Sequence, residues 1–384
     1  MSDGSLTLEI AQSIDDVGAA EWNALTDPND PFTEHAFLAL MEESGSVGTA
    51  AGWVPVHLLA KRNDALVGAV PLYLKNNSYG EYIFDWGWAQ AAQRSGLPYY
   101  PKLVSAVPFT PATGRRLLAH DEATEAALMD GLHGVAKATN ALSIHLLFCS
   151  SGERRRLEQR SELIGRTTHQ FHWNNDGYGT FEDWLATFRS RRRKEVRRER
   201  RTPAKLGVEL RMLRGDELTP EHWSCMRGFY ERTVEKKYAQ AYLTPEFFTL
   251  AQTRLAHTAV MFMAFQRETP VAVALCFQRG AHLMGRYWGC APRFESLHFE
   301  LCYHAPIEAC IQHGWTHFEA GAQGLHKVQR GLAPALTHSL HHLRHPGLHD
   351  AVRESMTHEE AQLNREMKWC ETKLPFHRQD LTTG

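Results

Sequence analysis

One plan, used twice, constrains this chain more than any other feature. The segments VPVHLLAKRNDALVGAVPLYLK (54–75) and AVMFMAFQRETPVAVALCFQRG (259–280) lie roughly 200 residues apart, one in each half. Each reads as two β-rich apolar runs around a polar turn, at Asn63-Asp64 in the first and from Arg267 to Pro270 in the second. Each follows an apolar helical stretch introduced by a threonine: Thr33 before EHAFLALMEE, and Thr244 before PEFFTLAQTRL, where Pro245 suits the first helical turn. A helix-period stretch over 122–139 and a β-rich run at 143–149 follow the first meander. A helix-like stretch at 297–314 and a short strand within 315–321 follow the second. Pro306 must sit early in that last helix or kink it. Helix, meander, helix, strand in each half predicts an α+β (mixed α/β) fold built twice. The Gly/Asn-rich stretch 173–180 predicts the joint, with domains at 1–175 and 176–384. A length of 384 residues, beyond what one core usually supports, agrees with two domains.

Charge narrows the function. Forty-two Lys and Arg against 44 Asp and Glu exclude a uniformly basic coat for nucleic acid and leave room only for local basic patches. No apolar run approaches the 18 residues of a membrane span, and no signal peptide is legible, so a soluble, cytoplasmic protein is expected. The seven cysteines form no C-x-x-C pair and sit mostly in apolar runs, as reduced cysteines do.

Four segments carry chemistry. FRSRRRKEVRRERR (188–201) holds nine basic residues with Glu195 and Glu199 interleaved. Its spacing predicts a basic helix within 184–201, either a solvated surface helix or a phosphate-binding element for a nucleotide, a tRNA or an anionic lipid surface. PFTPATGRR (108–116) offers Thr110, Arg115 and Arg116 around one glycine, as a weak phosphate-cradle pattern or a Pro-rich turn. FEAGAQGLHKVQRG (318–331) packs Glu319, Gln323, His326, Lys327 and Arg330 among glycines that let a ligand approach the backbone, and it is the sharpest local signal. DWGWA (85–89) and YYPK (99–102) concentrate aromatics beside Lys102, as a cleft lining or as core under a loop. Half of the 22 histidines lie between His298 and His358. His338 and His342 have the i,i+4 spacing of two ligands on a helix, but no H-E-x-x-H accompanies them, and no metal site is expected.

Taken together, PFTEHAF, GWVPVHLLAK, DWGWA, YYPKL, PFTPATGRRLL, SRRRKEVRRER, YWG, HFELCYH, GAQGLHK and RGLAP resemble the FemAB-like group of tandem-GNAT acyltransferases, named for peptidoglycan biosynthesis or recognition. The resemblance spans nearly the whole chain and implies two tandem GNAT-like domains. The second domain would carry the basic helix 184–201 and the Gly-rich 318–334 motif. It also implies an N-acyltransferase that moves an acyl or aminoacyl group from acyl-CoA, or from aminoacyl-tRNA, to a small-molecule amine. Such enzymes work by juxtaposing donor and amine and stabilising the oxyanion, which suits a chain with no obvious nucleophile. Within this frame Glu319 and His326 are the proton-transfer candidates, and Lys327 joins them as a catalytic candidate. Tyr99, Tyr100, Lys102, Thr110, Arg115, Arg116, Arg192, Trp288, Gln323 and Arg330 are the substrate-binding ones. Residues 189–201 are the candidate contact for tRNA or another anionic phosphate ligand. The alternative is a non-catalytic module that binds a phosphorylated cell-wall precursor or other polyanion.

Overall fold

Both predicted turns form with their central residues in the left-handed region, Asn63 and Asp64 at φ 52° and 65°, Arg267 and Glu268 at φ 48° and 63°. That geometry matches the twist of the strands on either side and closes tight hairpins. In the computed structural model, which describes residues 5–160, 162–237, 240–322 and 324–377, the strands are β1 Leu6–Ala11, β2 Trp53–Pro55, β3 His57–Arg62, β4 Ala65–Val70, β5 Leu72–Lys75, β6 Lys102–Ser105, β7 Leu118–Ala119, β8 Ser143–Cys149, β9 Ile164–Asn174, β10 Glu209–Arg214, β11 Ala259–Gln266, β12 Thr269–Arg279, β13 His282–Cys290, β14 His317–Glu319 and β15 Ala333–Leu343.

The chain divides into two units, 1–168 with 336–364, and 169–335 with 365–384. A single cut at 175/176 was expected; instead residues 336–364 fold into the first unit, because the second half of β15 pairs antiparallel with β8 from Leu343↔Ser143 to His338↔Cys149. In the first unit, β1, β3, β4 and β7 form a small sheet. The helix Glu122–Ala138, capped by Asp121 on the Thr124 amide, packs against it at Gly68, where a Cβ would meet Thr124 at 2.5 Å. Leu58, Leu103, Leu128, Leu132, Ile144 and Leu146 centre the core there.

The second unit orders β10-β11-β12-β13-β14-β9. Its β10 to β13 run antiparallel, and β14 lies parallel to β13. Thr244 caps the helix Pro245–Arg254 as predicted, its side chain accepting from the Phe247 amide. Thr33 does not cap its helix: its hydroxyl donates to Asp30, and the helix starts at His35 after Glu34. The local Asx turn outcompetes the cap. The expected helix at 297–314 is broken into a 3-10 turn Pro292–Leu297, a π turn Glu300–His304 and an α-helix Ala305–His313. Pro306 falls in the first turn of that α-helix, the position that tolerates a missing N–H. The basic helix is likewise shorter than 184–201. A helix Phe181–Ala186, closed by a Thr180–Asp183 capping box, ends before Phe188, and a second helix runs Ser190–Glu199. Phe188 is fully buried and forms the break.

The helix Pro220–Lys236 lies against β13 at Gly289, where a Cβ would stand 2.4 Å from the Phe229 carbonyl oxygen. Backbone cannot yield as a side-chain tip does. Gly289→Ala is therefore expected to cost on the order of 1–3 kcal/mol, read as a lower urea midpoint. An unchanged midpoint would show that the helix rides on β13 more loosely than this.

Candidate active site

The Gly-rich motif of the second unit begins where two strands part. β13 and β14 pair over only three positions, His282↔His317, Leu283↔Phe318 and Met284↔Glu319. β13 then runs on to Cys290 while β14 ends. Just beyond Met284, the β12–β13 register jumps from Cys276↔Gly285 to Leu275↔Tyr287, which leaves Arg286 as the extra residue of a bulge. The bulge bends β13 away, and Gly285, with its side closed by the Glu319 carbonyl at 3.4 Å, marks the last point of close approach.

Across from this fork, residues 320–331 turn back through Gly321, Gly324 and Gly331, all at positive φ, into the 3-10 turn Leu325–Arg330. Lys327 is 2 % exposed, and its Nζ donates to the Gly321 carbonyl at 2.6 Å. Burial, with no carboxylate partner among the described residues to offset it, pulls its ammonium down to about 8. His326 shares a 2.8 Å hydrogen bond between its Nε2 and the Tyr303 hydroxyl, and its ring packs by Phe299 and His298. Burial first, then the cationic charge of Arg330 and Lys327, lowers the His326 pKa, so the ring is neutral near pH 7. Arg330 does not reach outward. Its guanidinium forms a two-point bond with Glu199, at 2.6 and 3.1 Å, donates to the His326 carbonyl at 2.9 Å and covers the Phe299 ring. Glu199 also bonds His304 at 2.8 Å, so the last residue of the basic helix anchors the motif. Trp288, half-buried on β13, meets the edge of His298 at 5.3 Å. Gln323 lies outside the described residues.

Glu319 sits among histidines. It is 5 % exposed, with His172 at 3.8 Å and His317 at 3.5 Å. Burial would raise its pKa, but His172, His317 and His282 together hold it below the usual carboxylate value.

The basic helix is sorted by face. Val196 is buried, Arg192 pairs with Glu195 at 2.5 Å, and Arg193 donates to the Ala186 and Phe188 carbonyls. Arg189, Arg191, Lys194, Arg197, Arg198 and Arg201 stay exposed, and Arg191, Lys194 and Arg198 line a surface hollow with Ser190 and Glu195.

The aromatic segments belong to the first unit, where Asp85, Trp88 and Tyr99 are buried while Trp86 is exposed and stacks on Phe84. Lys102 has no exposed side-chain surface; its Nζ donates to Asp85 at 2.5 Å, Glu81 at 2.8 Å and Ser78 at 2.9 Å. Tyr99 donates to Asp85 at 2.6 Å, and the Tyr100 and Ser78 hydroxyls bond at 2.8 Å. Beneath them His145 and His341 meet through their Nδ1 atoms at 2.7 Å, each with its Nε2 on a serine, Ser143 and Ser339. The PFTPATGRR segment is also internal. Arg116 is fully buried and donates to the carbonyls of Leu147, Ala112 and Arg115; Arg115 donates to the Ala119 carbonyl, and Thr110 to that of Pro108. His338 and His342 lie on a strand, β15, and not on a helix. His338 contacts Arg154 at 2.9 Å, while His342 packs against His133 and His349.

Sequence reasoning missed Tyr303, Glu199 and His172. Only Glu199 left a trace, as one of two acids inside an arginine run.

The fold is mixed α/β, arranged in two units. The sequence matches the FemAB-like family, described as peptidoglycan biosynthesis/recognition, over residues 13–378, and the chain belongs to that family. No curated protein sequence matches it. Among solved structures, it is similar to FemX, with a TM-score of 0.55 at 12 % identity over 88 % of this chain and 98 % of that one. It is also similar to a conserved protein of unknown function from Bacteroides thetaiotaomicron, with a TM-score of 0.53 at 10 % identity over 87 % and 99 %. L-PGS from Bacillus licheniformis is a third, with a TM-score of 0.50 at 11 % identity over 86 % and 97 %. Likeness at these identities speaks for the fold. Among the described residues, no helix is long and apolar enough to cross a membrane.

Proposed function

We propose that this chain is an N-acyltransferase that moves an acyl or aminoacyl group onto an amine, with its chemistry at the 320–331 turn. The observation that carries the reading is Lys327: a buried ammonium with no carboxylate partner among the described residues, held on a Gly-rich turn beside the point where β13 and β14 part. A donor carbonyl between the strands would develop negative charge on its oxygen in the tetrahedral intermediate, and a desolvated ammonium stabilises that charge more than it does the neutral carbonyl. His326, neutral and held by Tyr303, is the group assigned to take the proton from the attacking amine. Arg330, tied to Glu199, positions the turn.

The donor we favour is aminoacyl-tRNA over acyl-CoA. The end of β13, Arg286-Tyr287-Trp288-Gly289-Cys290-Ala291, has the Arg-x-x-Gly-x-Ala spacing of a pyrophosphate turn, but the 3-10 turn it enters, Pro292–Leu297, puts Glu295 in its first turn, which disfavours a phosphate there. The exposed cations of the helix Ser190–Glu199, by contrast, suit a phosphate backbone. The test is binding and transfer with each donor, charged tRNA, CoA and acetyl-CoA. Charged tRNA is expected to bind with an affinity that falls steeply with salt. Reversing Arg191, Lys194 and Arg198 to Glu should flatten that salt slope by roughly one per residue removed. Binding of acetyl-CoA alone would move the donor to CoA. Absence of transfer from any of the donors to any amine would sink the enzymatic reading and favour recognition of a phosphorylated cell-wall precursor.

A further inference from the structure

We propose that the second unit holds a site for a first-row transition metal ion of the zinc type, built by His172, His317 and Glu319 across two adjacent strands. Register places them. β14 pairs antiparallel with β9, setting Glu319 opposite His172 and His317 opposite Asn174. His317 and Glu319, two apart on one strand, share a face of the sheet. The ligand atoms of the three side chains all lie within 4.8 Å of one another, with Glu319 Oε1 at 3.5 Å from His317 Nε2 and 3.8 Å from His172 Nε2. His282, paired with His317 across β13, brings its ring to 4.8 Å from that of His317, near enough to join as a fourth donor.

The surroundings fit a metal ion better than an ordinary ion pair. Among the described residues the Glu319 carboxylate has ion-pair partners in His172 and His317, with Glu319 and His172 buried and His317 and His282 half-buried. The Nδ1 of His317 bonds Asn174 Oδ1 at 2.7 Å, which fixes the ring with its Nε2 lone pair turned toward Glu319. A hydrogen bond on the far nitrogen is the usual support of a metal-bound imidazole. Two imidazoles and one carboxylate are donors that suit zinc, cobalt, nickel or copper, not calcium or magnesium. Binding would replace the 3.2 Å contact between His172 Nε2 and Gln170 Oε1. The site uses neither Lys327 nor His326, and it assigns Glu319 to a metal ion in place of the proton transfer expected of it from the sequence.

The test is metal retention by the full chain, stripped with chelator, loaded with Zn2+ and dialysed, then repeated with Co2+ to read the visible absorption of a four-coordinate ion. Wild type is expected to keep about one equivalent, in line with its three protein donors. His317→Ala should lose most of it. Asn174→Ala, which leaves all three donors in place, should weaken retention about tenfold in competition with a chromophoric chelator. Many surface histidines bind zinc weakly, so the comparison between variants decides. Equal retention by wild type and His317→Ala would overturn the proposal, as would absence of the four-coordinate cobalt spectrum in wild type. Should His317→Ala fail to fold, Asn174→Ala decides alone, and wild-type affinity in that variant overturns it.

Discussion

Lys327→Met is expected to lower turnover by about 10² to 10³-fold while leaving the fold intact. The loss is that of one preorganised donor to an oxyanion. It should fall on kcat, because the ammonium contributes to the charged intermediate and little to the neutral donor. The side chain is buried, and methionine of similar length keeps the packing, so unfolding by urea should move little. The pH profile gives an independent reading. Burial has lowered the Lys327 pKa to about 8. The active form on this reading has Lys327 protonated, so activity should fall as pH rises through about 8, while protonation of His326 limits it separately on the acid side. Lys327→Arg, charged at every accessible pH, should lose that alkaline limb even where its geometry costs rate. A Lys327→Met enzyme with full kcat would remove the assignment. A Lys327→Arg enzyme with an unchanged alkaline limb would give that limb to another group.

The parts of this chain that were legible in the sequence are those decided locally. Asn63-Asp64 takes a left-handed turn at low cost, and Thr244-Pro245 starts a helix wherever it occurs, so the two meanders and the element order could be read. The Gly-rich turn was legible too, since its glycines at positive φ leave few alternatives. Contacts between distant segments were not. Nothing around Glu319 announces that β9 will set His172 against it, and nothing in the arginine run says that Glu199 will grip Arg330. The aromatic segments show the limit most clearly. DWGWA and YYPK read equally well as a cleft lining or as core, and what separates the two is whether Asp85 finds Lys102, a pairing with no local signature. PFTPATGRR resembles a phosphate turn in residue types, yet its arginine hydrogen bonds end on backbone carbonyls, which sequence spacing cannot show.

Lys102→Met should be the most damaging single change in the first unit, at about 3–5 kcal/mol, the usual cost of deleting one member of a buried ionic network. Strand pairing sets up the conflict the network resolves. β5 and β6 place Lys75 directly opposite Lys102, two ammonium groups with no exposed side-chain surface. Lys75 lies over the Trp53 ring at 3.7 Å, and burial lowers its pKa to about 7. Lys102 goes the other way: burial opposes its charge, but Glu81 and Asp85 together raise its pKa above the ordinary value. Asp85 has the position of a helix cap for Trp86–Arg94, yet its carboxylate makes no cap bond; it is turned to Lys102, Tyr99 and Ser78. The network thus joins that helix to β6. Removing Lys102 would leave the Asp85 carboxylate, held well below its usual pKa chiefly by that lysine, without its main counter-charge. Glu81, already pushed up to about 7 by burial, would take a proton instead. Urea unfolding of Lys102→Met should show the loss, and adding Glu81→Gln with Asp85→Asn should recover at least half of it, because a neutral, hydrogen-bonded set no longer buries an unpaired charge. A cost below about 1 kcal/mol for the single variant, or no recovery in the triple one, would mean that packing around Tyr99 and Trp88, and not charge, holds this part of the unit together.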